Sequence, residues 1–336
     1  MTSKIRIVSL SLALAAAASL GLAGCSGSGS GASTSGADKT TIGISFENGV
    51  GFREGQKRFY QIAAKKLNVS LEFQVAQNDA QRQSSQIKTM VSQGDQGIII
   101  LPLDPVAIEA DIKTLNTAKV PVTTVDVAPK DVNSVKFHVG SDPLADGKAA
   151  AAEFVKLADG KPFKIVEMQG ALNSNTGVAR SKGLHDGLTG HDNVQIVSIV
   201  PTDWKPEPAL TGIQNALQTH SDLAGIYLPT DGQIPAAYSA LSAVNKKVKV
   251  GEPGHVAIVS IDGDPNGCQG VKDAYVDLDL ATDVPNMTLH SLQQTVNLVQ
   301  GKPVSIKSPE YLPSIAVTPS TIAANESKVW GCSQGG

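Results

Sequence analysis

The chain has 336 residues, 28 Lys and Arg against 31 Asp and Glu, a formal net charge of -3, and 41% hydrophobic but only 4% aromatic residues. That balance excludes a disordered or fibrous chain, and it leaves no basic surplus to neutralise phosphates, so no nucleic-acid partner is expected. Three cysteines exclude a disulfide-rich miniature, no C-x-x-C pair or Cys/His cluster has zinc-ligand spacing, and the length suggests two globular domains of about 150 residues each.

Residues 1–24 read as an export signal. Lys4 and Arg6 supply a positive start, and the apolar stretch from Val8 to Leu22 is too short for a comfortable transmembrane helix. It ends in Leu22-Ala23-Gly24-Cys25, which resembles the lipobox of bacterial lipoproteins. Cys25 is therefore expected to take a diacylglyceryl group and to anchor an exported protein on the extracytoplasmic face of the cell membrane. Ser26 to Gly36 is almost entirely Ser, Gly, Ala and Thr, which cannot bury enough surface to order itself, so residues 25–40 read as the lipidated cysteine and a tether.

From Thr41 onward, short β-branched runs alternate with amphipathic stretches of helical length, the pattern of a doubly wound parallel sheet. The strands predicted are Thr41 to Phe46, Ser70 to Val75, Gly97 to Leu101, Val122 to Val125, Val135 to Val139, Phe163 to Met168, Val194 to Ile199, Gly225 to Leu228, Val256 to Ile261 and Tyr275 to Leu280. Helices fall between most of them, with Asp79 and Asp104-Pro105 placed to begin two. The unit repeats too often for one compact sheet, so two α/β lobes are expected.

Ligands in such sheets bind beyond the carboxyl ends of the strands, which directs attention to the residues just after each one. Those positions hold Glu47, Asn48, Phe52-Arg53, Asp126, Gln169, Arg180, Trp204, Thr230-Asp231, Asp262 and Asp283. Carboxylates accept hydroxyl protons, guanidinium groups donate forks to ring or hydroxyl oxygens, and indole or phenyl faces cover the C–H face of a sugar. Together they describe a carbohydrate or polyol pocket.

Six further pieces occur in an ordered series: Thr41-Ile42-Gly43-Ile44-Ser45, Val120-Pro121-Val122-Thr123-Thr124-Val125-Asp126, Met168-Gln169-Gly170, Ala179-Arg180-Ser181-Lys182-Gly183, Ile226-Tyr227-Leu228-Pro229-Thr230-Asp231, and Val259-Ser260-Ile261-Asp262-Gly263. On them, residues 41–312 resemble the pentose- and hexose-binding proteins of bacterial ABC importers, the ribose-binding type of the type I periplasmic fold. The resemblance implies that Phe52, Asp126, Arg180, Trp204, Thr230, Asp262 and Asp283 line a sugar site between two lobes. It implies a lobe of 41–140 with 284–312 and another of 141–283 with 313–336, hinged near Gly140 to Asp142, Asp283-Val284 and Leu312-Pro313. It also implies an ABC permease as partner to a monomeric receptor without cofactor.

The departures bear on the ligand. Ribose binders carry an arginine where this chain has Val127, and an Asn and a Gln where it has Thr230 and, nearby, Asp283. One ring of the first loop is missing from Asn48-Gly49-Val50-Gly51-Phe52. Losing an arginine fork and gaining an acceptor favours a donor-rich ligand, a polyol or a differently substituted sugar rather than ribose.

Sharper-looking motifs fail on context. Gly49 to Gly55 resembles a dinucleotide fingerprint, but no acid ends the second strand at Val75. Asp262-Gly263-Asp264-Pro265-Asn266-Gly267, with Asp273 following, matches a calcium loop but follows a buried strand, so no metal is expected. No hydrolase elbow, zincin or P-loop motif occurs, Gly147-Lys148-Ala149 included, and the six histidines read as scattered surface residues. A sensory receptor for a small signal molecule or nucleoside, and an exported hydrolase, are the rival functions. Cys268 and Cys332 are the thiols of the folded part, and export permits their oxidation, so a disulfide is expected to tie the C-terminal tail beside Trp330 to the helix after Asp262.

Overall fold

The computed structural model describes residues 39–49 and 51–333. The export signal, Cys25 and most of the tether lie outside them. The first half runs β1 (Thr41–Phe46), α1 (Phe52–Leu67), β2 (Ser70–Val75), α2 (Ala80–Gln93), β3 (Gly97–Ile100), α3 (Glu109–Thr117), β4 (Val122–Val125) and β5 (His138–Ser141). The second runs α4 (Pro143–Ala158), β6 (Phe163–Gln169), α5 (Asn175–Leu188), β7 (Val194–Pro201), α6 (Pro206–Thr219), β8 (Leu223–Tyr227), α7 (Ile234–Ala243), β9 (Ala257–Asp262), α8 (Pro265–Lys272) and β10 (Leu278–Ala281). The chain then closes through α9 (Val284–Val299), β11 (Glu310–Leu312), β12 (Ile315–Val317) and α10 (Ile322–Asn325).

These strands form two six-stranded sheets, β11-β5-β4-β3-β1-β2 and β12-β10-β9-β8-β6-β7. All pairings are parallel except β12 against β10. Fully buried runs such as Gly97–Ile100 and Ala257–Asp262 need helices on both faces, and both sheets have them. In the first lobe, Tyr60 of α1 and Met287, Leu292 and Val296 of α9 pack on Ile42, Ile44 and Val139. Ile87 and Met90 of α2 and Ile112 and Leu115 of α3 cover the other face through Ile98, Ile100 and Val122. In the second, Ala150, Phe154 and Leu184 of α4 and α5 pack on Ile165, Tyr227 and Val259, and α6, α7 and α8 cover the opposite face.

The chain passes between the sheets three times, at residues 141–143, 281–284 and 312–315. Two passages start a helix whose N-cap is an aspartate. Asp142 accepts from the Ala145 amide and Asp283 from the Asn286 amide, so each passage leaves one sheet and begins a helix within a few residues. Asp79 caps α2 in the same way.

Several boundaries differ from those read in the sequence. β5 starts at His138 rather than Val135, because Val132–Ser134 forms a 3-10 turn, and β10 starts at Leu278 rather than Tyr275. Asp104 ties a turn through the Val106 and Ala107 amides, whereas α3 begins only at Glu109. β11 and β12, three residues each, were not among the strands predicted.

One helix contact has a direct bearing on the site. A Cβ on Gly147 of α4 would lie 2.1 Å from the Arg180 carbonyl oxygen, and one on Gly183 of α5 would lie 2.3 Å from that of Leu144. α4 and α5 thus approach backbone to backbone, which fixes the depth of Arg180. Gly183→Ala should therefore cost about 1–3 kcal/mol in urea unfolding, the scale of overpacking, despite alanine's better helix propensity. An unchanged midpoint would show that the helices separate without loss.

Candidate ligand-binding site

Two arginines, Arg180 buried and Arg53 mostly so, organise the strand ends. In the first lobe Glu47 follows β1, Asp126 follows β4, and Arg53 lies in the first turn of α1. Arg53 donates from Nε to Glu47 Oε1 at 2.6 Å, and from Nη1 to Asp126 Oδ2 at 2.6 Å and Gln56 Oε1 at 2.9 Å. Its guanidinium also lies 5.3 Å from the Phe52 ring centroid. Burial alone would favour the neutral form of Arg53, but Glu47 and Asp126 outweigh it and hold the cation charged. For Glu47 the balance runs the other way: burial raises the carboxyl despite Arg53. Asp126 has φ 65°, a left-handed conformation that aspartate tolerates better than most side chains.

The second lobe repeats the arrangement. Arg180 of α5 is 4% exposed; its Nη1 donates to the Pro229 carbonyl at 2.6 Å and lies 3.1 Å from Asp262 Oδ1. Thr230 Oγ1 donates to Asp262 Oδ2 at 2.7 Å. Asp262, the last residue of β9, has φ 133°, strain that only a well-braced site sustains. The charge of Asp126 bears on both Arg180 and Asp262, so the strand-end groups of the two lobes lie within electrostatic reach of each other. Glu47 Oε2 and Arg180 Nε are buried with no hydrogen-bond partner among the described residues.

The remaining predicted residues divide. Trp204 sits in the turn before α6 with φ 65°, and its ring lies over Gly170, where a Cβ would be 2.3 Å away. Phe52 begins α1 and meets Trp330 edge-on at 5.6 Å between ring centroids. Asp283 spends its hydrogen bonds as a cap, receiving the Asn286 amide at 3.2 Å and the Asn286 side chain at 2.7 Å. Asp231 is fully buried and accepts from Ser260 Oγ and the Asp264 amide, so it braces the loop after β9.

The side chains of the calcium-like stretch are engaged otherwise. Asp264 caps α8 through the Asn266 and Gly267 amides, and Asp273 accepts from Gln269. Among the described residues no group of three or more His, Cys, Asp or Glu is arranged to hold a metal ion. Not all the histidines are surface residues as read from sequence, although His185 and His191 are exposed. His138 is buried in β5 beside Thr124, its value lowered to about 4 by burial, while His185, His255 and His290 meet Glu167, Asp277 and Glu310. A separate groove of about 470 Å³ between β7 and α6, lined by Ser198, Glu207 and Asn215, has none of the converging groups described above.

Sequence reasoning placed Glu47 and Arg53 near the pocket without seeing that they pair. It did not bring Trp330 beside the strand-end groups; the indole Nε1 donates to the Asp262 carbonyl at 2.7 Å. Its position two residues before Cys332 was the available signal, and it pointed to the tail rather than to the cleft.

Comparison with known proteins is consistent across sequence and structure. The periplasmic binding protein domain matches residues 42–303. The chain is 27% identical to the ribose import binding protein of Bacillus subtilis over 81% of this chain and 86% of that protein. It is 26% identical to a xylitol-binding protein of Mycolicibacterium smegmatis, covering 84% and 79% respectively. Among solved structures, an ABC transporter solute-binding protein from Bacillus halodurans with bound myo-inositol superposes with a TM-score of 0.79 at 22% identity, over 86% of this chain and 98% of that one.

Asp262 carries the clearest titration consequence. Burial, opposed by Arg180 and the Thr230 hydroxyl, pushes its carboxyl up to about 6. The folded state thus holds this proton more tightly than the unfolded chain, where the usual value is 3.8. The associated stability is present below about pH 4 and is lost as pH rises through about 6. Asp262→Asn, which mimics the protonated group, should melt above the parent at pH 7.5, and the gap should close near pH 4. A variant melting lower at pH 7.5 would show that the pairing with Arg180 outweighs the cost of burial.

Proposed function

Because the chain belongs to the periplasmic binding protein family, we propose that it captures a monosaccharide or polyol between its two lobes and delivers it to an ABC-type import permease. The observation that carries the ligand class is the pairing of Arg53 and Arg180. Each cationic group is already matched by a carboxylate, Arg53 by Glu47 and Asp126, and Arg180 by Asp262. A phosphate or carboxylate ligand would have to displace one of those partners, whereas hydroxyl groups add donors to carboxylates that still have open lone pairs.

The relatives support the same class, since the similar proteins named above are a ribose import binding protein, a xylitol-binding protein and a protein with bound myo-inositol. Within it, Val127 in place of an arginine and the carboxylates of both lobes favour a donor-rich polyol or a sugar other than ribose. In this reading Phe52, Asp126, Arg180, Trp204, Thr230 and Asp262 contact the ligand, joined by Arg53 and Glu47, while Asp283 serves chiefly to cap α9 at the passage between lobes. Ligand bridging the half-sites shifts the population toward a closed form that docks on the permease. Cys25 carries the lipid that keeps the monomeric receptor near it, and the ligand leaves unchanged, without turnover.

Thermal unfolding of the compact unit from Lys39 onward, against pentoses, hexoses, polyols, amino acids and nucleosides, tests the reading. A ligand at 100 times its dissociation constant should stabilise by about 2.7 kcal/mol. Asp126→Ala and Arg180→Ala should each remove at least about 1.5 kcal/mol of binding, the scale of a charge-assisted hydrogen bond. A shift confined to nucleosides would favour a sensory receptor, and consumption of the ligand would favour a hydrolase.

A further inference from the structure

The C-terminal tail lies beyond the matched periplasmic binding protein domain, residues 42–303, yet it touches both lobes. On the side of the second lobe it is fastened several times over. Cys332 is joined to Cys268 of α8 by a disulfide, the Gly331 amide donates to the Gly263 carbonyl at 2.9 Å, and Trp330 Nε1 donates to the Asp262 carbonyl. A Cβ on Gly331 would lie 2.1 Å from the carbonyl carbon of Asp264, so the backbone of the tail is pressed against the loop that carries Asp262.

Its contacts with the first lobe are of a different kind. The Trp330 ring meets the Phe52 edge, a Cβ on Gly55 would lie 2.3 Å from it, and the Ser333 carbonyl accepts from Arg58 Nη2 at 2.7 Å. Phe52, Gly55 and Arg58 all belong to α1, whose partners are α9 and the first sheet. Trp330 is only 2% exposed, so nearly all of a large indole is covered by surfaces from the two lobes together. One end is covalently held, and the other rests on contacts that separate when the lobes part.

We propose that residues 329–333 are a latch across the cleft, in which Trp330 is a positioning residue: it holds the Asp262 loop and seats against Phe52 and Gly55 of α1 when the lobes close. The proposal rests on the clamp reading above. Ligand affinity then includes the seating of Trp330, and the Cys268–Cys332 disulfide keeps the tail in register for it. The seat requires glycine at position 55, since any side chain there occupies the space of the indole.

Gly55 allows a test that leaves the second lobe untouched. With the sugar or polyol that most stabilises the wild-type protein, Trp330→Ala and Gly55→Ala should each weaken calorimetric affinity at least about tenfold, or ~1.4 kcal/mol. Because both remove one seat, the double variant should bind no more weakly than Trp330→Ala alone. The Cys268→Ser/Cys332→Ser pair should shift affinity in the same direction. Unchanged affinity in Gly55→Ala, or fully additive losses, would overturn the latch while leaving the receptor function intact. A second readout is Trp330 emission, since Trp204 and Trp330 are the only tryptophans. In a Trp204→Phe background saturated with that ligand, so that the lobes are closed, Gly55→Ala should red-shift Trp330 emission and raise its quenching by acrylamide. A native far-ultraviolet spectrum with unaltered emission would refute the seat.

Discussion

Burying a guanidinium without a partner is prohibitively costly, and the structure meets that constraint twice, once in each lobe, at the ends of parallel strands. Arg53 is held by Glu47 and Asp126, Arg180 by Asp262 with Asp146 3.9 Å away. The pairs tie the strand ends of each lobe to a neighbouring helix, Arg53 of α1 to the ends of β1 and β4 and Arg180 of α5 to the end of β9. They also explain why the site is a source of strain and not of stability: Asp126 and Asp262 occupy unfavourable backbone conformations, and burial raises the Asp262 carboxyl even beside its arginine. In the proposed function, a ligand that donates hydroxyl protons would offset part of that cost.

The scaffold that carries the pairs is economical. Passages capped by Asp142 and Asp283 turn a sheet edge into a helix within a few residues, so the lobes are joined by short segments. The third passage runs from β11 to β12, strands too short to contribute much on their own, but each fastened to a different sheet. The tail adds contacts to both lobes, a disulfide to α8 on one side and non-covalent contacts with α1 on the other.

Much of this was legible in the sequence, and the misses have physical causes. Central strands announced themselves because a strand covered on both faces must be aliphatic, as in Gly97–Ile100, and strand-end carboxylates stood out because parallel sheets place ligands there. β11 and β12 were invisible since three residues carry no periodicity and Pro309 and Pro313 flank them. β5 was placed early because Val135 and Phe137 are apolar and buried without being in the strand. Asp283 looked like an acceptor for ligand, but a carboxylate at a helix start serves the helix first. The place of Trp330 required knowing that a tail fastened by Cys332 returns to Asp262 and Phe52, long-range contacts that local pattern does not encode.

The central claim is that one ligand engages half-sites on opposite lobes. Small-angle X-ray scattering of the protein from Lys39 onward, with and without a saturating sugar or polyol that stabilises it, tests this most directly. A smaller radius of gyration on binding, abolished in Asp126→Ala and in Arg180→Ala, is the expected result. Saturable binding with an unchanged radius, or compaction that persists in both variants, would contradict it and place the ligand outside the cleft between the arginines.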